Sequence, residues 1–226
     1  MTSIDRLISL CPPPPIAPPT DWPAVERLLG MRLPADYKQI SDTYGPGTFC
    51  GFLHLYHPHA HTSWTSLIGP MPSTIRTQLQ REHEQGASPL PVGPQDLFPM
   101  AVTDNGEYLF WVTRSGVSPD EWTVAASQAR SFQWYTYDGD LAGFLTAVLS
   151  GQEIVSLFPD SLLDHGAFFT PRAPAAHLTA VQPEQSSAMA SSSDIRAWAS
   201  DHGYEVPVRG RIPVEILDAW QQASTR

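Results

Sequence analysis

Two arginines around a glycine, Arg209-Gly210-Arg211, form the sharpest chemical feature of the sequence. In an exposed loop such a triplet lays two guanidinium groups along a narrow groove, and the glycine lets the backbone approach the groove floor. The narrow minor groove of A/T-rich DNA concentrates negative potential and draws inserted arginine. A second cluster, His54, His57, His59 and His61, lies in HLYHPHAH. Alternation along an extended segment would put His57, His59 and His61 on one side, where imidazoles could bind a metal and build a sensor. No carboxylate or cysteine lies nearby in the sequence to complete such a set, so a solvated loop after a strand, with no metal, is the expectation.

Catalytic patterns are missing. The chain has no G-x-S-x-G elbow, no Gly-rich phosphate loop, no H-E-x-x-H and no C-x-x-C. Asp104, beside Asn105-Gly106, reads as turn chemistry, and Asp138 and Asp140 read as helix-start residues. No catalytic residue, cofactor or enzymatic activity is expected.

The elements around these residues follow from pattern. Hydrophobic residues make up 42% of the 226, enough for a core, and Pro is 23 of them, about twice the usual share. CPPPPIAPP (11–19) cannot be helix and reads as a stiff polyproline leader or a proline-type ligand, within an N-terminal arm spanning 1–19. Thr20 or Asp21 caps a helix with Pro23 in its first turn, Val25, Leu28 and Leu29 on its apolar face and Gly30 at its end. A second helix opens at Leu33-Pro34-Ala35-Asp36 and carries Tyr37, Ile40 and Tyr44. TFCGFLHLY (48–56) predicts a strand and 73–85 a polar surface helix. LFPMAVTD (97–104) and EYLFWVT (107–113) predict strands around an Asn-Gly turn, followed by strands over 122–127 and 132–137. Asp138 starts a last helix with Leu141, Phe144, Leu145, Val148 and Leu149 on one face, stopped by Gly151. Residues 152–170 read as one extra helix or strand. The fold class is α+β, an antiparallel sheet with flanking helices over 20–170. A Pro/Ser/Ala-rich linker is expected over 171–192, and a small separate two-helix domain over 193–226.

Charge narrows the partners. The net charge is −10, which excludes a general nucleic-acid coat. From residue 190 on, four arginines (196, 209, 211, 226) and five acids (194, 201, 205, 215, 218) leave −1. Few phosphate contacts are available there, so one copy should bind DNA weakly. Two distant cysteines, Cys11 and Cys50, fit a reducing compartment. The apolar run Leu7–Leu10 is short for a signal sequence, and no stretch is long enough to span a membrane. A cytoplasmic protein is expected.

The stretch 194–223 resembles the C-terminal DNA-binding domain of the Lsr-type family, the H-NS-like nucleoid proteins of actinobacteria. The matching residues are Ile195-Arg196, Trp198-Ala199, Gly203-Tyr204, Val206 and Arg209-Gly210-Arg211-Ile212-Pro213. The resemblance implies an AT-hook-like loop, minor-groove insertion by Arg209 and Arg211, A/T-rich double-stranded DNA as partner and association with the nucleoid. Pro207-Val208 departs from the polar residues often found before that triplet, and the family's usual oligomerisation domain is absent. The small unit also resembles the peripheral-subunit-binding domain of 2-oxo-acid dehydrogenase complexes, which binds protein.

Residues 25–49, VERLLGMRLPADYKQISDTYGPGTF, resemble the opening of the SUKH (Smi/Knr-type) superfamily, through Glu26, Leu29-Gly30, Leu33-Pro34, Asp36-Tyr37 and Gly47. LFPMAVTDNGEYLFWV (97–112) fits that family's strand pair. This resemblance implies a protein partner for the large domain. One alternative is an immunity protein that neutralises a nuclease toxin, since an acidic body steers toward basic partners.

Overall fold

The computed structural model describes residues 2–172 apart from 16, 18, 87–89 and 129–132. The chain divides into two units, Met1–Thr179 and Ala180–Arg226. The expected two-helix domain over 193–226 and nearly all of the expected linker lie outside the described residues.

The first unit is α+β, built on a seven-stranded antiparallel sheet. Its helices are α1 (Ser3–Leu10), α2 (Trp22–Leu29), α3 (Ala35–Tyr44), α4 (Met71–Glu84) and α5 (Leu141–Leu149). Its strands are β1 (Gly47–Phe49), β2 (Leu53–Leu55), β3 (Leu97–Thr103), β4 (Tyr108–Val112), β5 (Thr123–Ser127), β6 (Trp134–Tyr137) and β7 (Phe169–Pro171). Strands β1 to β6 form a meander, and β7 returns to pair with β1, giving the order β6-β5-β4-β3-β2-β1-β7.

Helix α1 revises the arm expected over 1–19. A capping box between Thr2 and Asp5 starts it, and Ile4 and Leu7 are buried. It packs on α5 and α3. The prolines that follow form no helix among the described residues. They are tied down at their start, where the Tyr44 hydroxyl donates to the Cys11 carbonyl at 2.6 Å.

Helix α2 is capped by Asp21, which accepts from the Ala24 N–H at 3.1 Å, and ends at Gly30 with φ +67. Its inward stripe is Trp22, Val25 and Leu29, not the expected Leu28, which is 72% exposed. At about 100° per residue, Trp22 and Leu29 fall on one side of Val25 and Leu28 on the other. Helix α3 runs between Pro34 and Gly45 and buries Tyr37, Ile40 and Tyr44, as the spacing predicts.

The strand expected over 48–56 is a tight hairpin, β1 and β2. Cys50 (φ +52) and Gly51 (φ +64) turn the chain between them. The turn after β3 is also wider than expected. Pairing ends at Val102 and Tyr108, and the Thr103 N–H donates to the Glu107 carbonyl at 2.9 Å. Asp104 is drawn aside by β2: its N–H donates to the Phe52 carbonyl and its carboxylate meets His54.

Asp140, rather than Asp138, caps α5, accepting from the Gly143 N–H at 2.7 Å. Phe144 of α5 packs on Tyr135 and Tyr137, and Tyr37 of α3 meets Trp111 edge-on at 4.9 Å, so both helices cover the sheet face carrying Trp111. Helix α4 packs on β3 with Ile75 and Leu79 buried. The ambiguous 152–170 resolves into a 3-10 turn at Asp160–Leu163 and β7. Pro171 belongs to β7 and the Arg172 N–H donates to the Pro46 carbonyl at 2.8 Å, so the linker does not begin at 171.

Candidate functional site

Arg209, Gly210 and Arg211 lie outside the described residues. Within the described unit, three places gather polar or exposed groups: the histidine loop, the helix starts, and the end of α5.

The histidine loop is packed rather than solvated. His57 is 2% exposed and bridges to Ser66, its N–H donating to the Thr65 carbonyl at 3.0 Å. Its Nδ1 accepts from the His59 N–H at 3.0 Å, which leaves the proton of the neutral ring on Nε2. Burial pushes His57 down to about 4, helped by neighbouring His59 and opposed by the Ser41 backbone. The His59 ring stays beside that of His57, with centroids 5.7 Å apart. His54 Nε2 lies 2.6 Å from Asp104 Oδ1, and His59 Nε2 lies 3.2 Å from the Pro19 carbonyl. Burial, with Arg172 and His54 nearby, lowers His61. Of the alternation that would put His57, His59 and His61 on one side, the ring pair of His57 and His59 is what the packing brings together. Among the described residues no group of three or more His, Cys, Asp or Glu is placed to hold a metal ion.

At the helix starts, a cavity of about 370 Å³ lies between the first residues of α1, α3 and α5. The carboxylates lining it are engaged with backbone. Asp36 accepts from the Tyr37 and Ala142 N–H groups, and Asp120 accepts from the Ala35 N–H at 2.7 Å. Burial raises the Asp36 carboxyl above its ordinary value, with the Ala142 N–H pulling it back. These acids anchor helix N-termini to one another, which is a folding role.

The third place is one that sequence reasoning misses. Helix α5 ends at Ser150, and Gly151 (φ +74) turns the chain so that the Gln152 and Glu153 N–H groups both donate to the Ala147 carbonyl at 3.0 Å. The chain then buries Val155, Leu157 and Phe158, the last against Phe52 and Phe144. Between the end of α5 and the Asp160–Leu163 turn lies an open groove of about 160 Å³, lined by Val148, Ile154, Val155, Phe158, Leu162 and Leu163. Glu153 and Asp160 stand in its lining, and the Tyr135 hydroxyl donates to Glu153 at 2.6 Å. Ile154 is 82% exposed, more than any other large apolar side chain among the described residues. The only hint in the sequence is a run of apolar residues with neither helical nor strand period.

No helix among the described residues is long and apolar enough to cross a membrane. No curated protein and no solved structure matches the chain. Residues 187–223, which include Arg209, Gly210 and Arg211 and begin inside the expected linker, match the family described as the Lsr2 DNA-binding domain, and this match supports DNA binding through the C-terminus.

Proposed function

We propose that this chain is a non-enzymatic DNA-binding and protein-interaction protein of the nucleoid. Its C-terminal module places Arg209 and Arg211 in the minor groove of A/T-rich DNA, with Gly210 allowing close approach. Its SUKH-like first unit binds a protein partner. No cofactor takes part; the mechanism is recruitment, with DNA as one ligand and a protein as the other. The observation that carries the proposal is the family match over 187–223. The SUKH-like reading rests on the residue resemblance over 25–49 and 97–112, and the element order α2-α3-β1-β2 … β3-β4-β5-β6-α5 is compatible with it.

Fluorescence anisotropy of the full chain on A/T-rich and G/C-rich duplexes, beside an Arg209→Ala/Arg211→Ala double variant, tests the DNA half. Each inserted arginine should contribute roughly 1–3 kcal/mol. A/T-selective binding lost in the double variant is the expected result. Binding that ignores the bases or the substitutions would refute minor-groove insertion. A second reading, immunity against a basic nuclease toxin, is favoured by the acidity of residues 1–172, where nine Lys and Arg face seventeen Asp and Glu. Rescue of toxin-producing cells by the first unit alone, Met1–Thr179, would select it.

A further inference from the structure

We propose that the groove at the end of α5 is a docking site for a basic segment of the partner protein, anchored by a single apolar side chain. The inference rests on the reading that the first unit binds a protein. Size selects the anchor. A groove of about 160 Å³ is well below the ~300–1,000 Å³ of small-molecule sites, and matches one leucine- or phenylalanine-sized side chain. Its walls, Val148, Val155, Phe158, Leu162 and Leu163, are apolar, and Ile154 stands exposed at 82% beside them. An anchor side chain entering there would cover Ile154 and exclude water from the groove, the arrangement of an interface hot spot.

Charge selects what flanks the anchor. Every lining residue comes from the stretch between Arg130 and Arg172, which contains no Lys or Arg and five acids, Asp138, Asp140, Glu153, Asp160 and Asp164. Glu153 and Asp160 are in the lining itself. The groove also lies at the C-terminal end of α5, whose last turn carries no basic residue, so no side-chain cation within it offsets the partial negative charge of the helix end. All three contributions attract Lys or Arg, and none favours an acidic or neutral segment. A two-fold dimer through this groove would set the same acidic lining against itself, and a net charge of −10 repels a second copy in any other arrangement, so the occupant is a different, basic protein.

The test uses the full chain. A random peptide display library is selected in parallel on the parent and on Ile154→Asp, a substitution at an exposed position that should leave the circular dichroism and unfolding midpoint unchanged. The expected result is enrichment, on the parent only, of peptides with a large apolar residue beside Lys or Arg. The leading synthetic peptide should bind Ile154→Asp at least about tenfold more weakly. It should weaken on Asp160→Asn and lose affinity between 50 mM and 300 mM salt. Peptides that bind parent and Ile154→Asp equally would overturn the groove while leaving the partner-binding reading standing on another surface. Enrichment of acidic peptides, or no enrichment, would overturn the inference. So would light scattering that showed a dimer dissociated by Ile154→Asp, which would make a second copy the occupant. The anisotropy measurement on DNA is independent of all these outcomes.

Discussion

Lowering the pH from 7 to 5 should weaken the first unit through one buried ring. His57 is 2% exposed, and burial beside His59 holds it at about 4 instead of the usual 6.5. The unfolded chain therefore binds the proton that the folded chain refuses. Stability is fully present above about 6.5 and is lost as the pH falls toward 4. The whole gap is worth about 3 kcal/mol at 1.36 kcal/mol per pH unit, and the part between pH 7 and 5 about 2 kcal/mol. His57→Asn isolates this contribution, because its Oδ1 can take the place of Nδ1 as acceptor for the His59 N–H while removing the titrating ring. The other titrating groups, His61 and the carboxylates among them, are common to both proteins. Urea unfolding at the two pH values, followed by tryptophan fluorescence, to which buried Trp111 contributes, gives the comparison. The variant should lose about 2 kcal/mol less than the parent on acidification. Equal losses in the two proteins would refute the neutral, buried imidazole and with it the packed description of the loop.

Two further substitutions test the fold. Leu7→Ala removes a fully buried side chain of α1 and should cost about 2–5 kcal/mol in urea unfolding, whereas a dispensable N-terminal arm would give almost no change. Gly47→Ala would put a Cβ 2.3 Å from the Phe169 ring and 2.5 Å from the Thr170 carbonyl. It should cost roughly 1–3 kcal/mol and raise amide exchange in β7 before the rest of the sheet; uniform exchange would refute the edge pairing of β7 with β1.

Elements whose period and punctuation agree are readable from the residues alone. Helix α3 has Tyr37, Ile40 and Tyr44 at helical spacing between Pro34 and Gly45, and α5 has an apolar stripe between Asp140 and Gly151. The strands β3 to β6 carry enough β-branched and aromatic residues to declare themselves. Misreadings arise where neighbours dominate the pattern. The proline run obscures the preceding SIDRLISL, although Thr2 and Asp5 form a capping box and Ile4, Leu7 and Cys11 are spaced for one buried face. The β1–β2 turn is hidden because a cysteine, not an asparagine, adopts positive φ beside Gly51. The histidine alternation suggests one exposed side, but His57 pairs with Ser66, a contact no local pattern encodes. The groove is built from a 3-10 turn and irregular chain, for which no period exists.

Electrostatics connects the two proposals. The C-terminal segment from residue 190 carries −1 and the preceding residues −9, so long-range attraction to DNA phosphate is weak or opposed. On the proposed reading, the hold on DNA is short-ranged: arginine in a groove of high negative potential, with additional valence from association. A basic partner in the acidic groove serves both needs. It would neutralise part of the charge that repels DNA, and a multivalent partner would gather several C-terminal modules on one duplex, multiplying a weak contact through effective concentration. The acidity that excludes a general DNA coat thus fits a protein whose hold on DNA depends on what it has recruited.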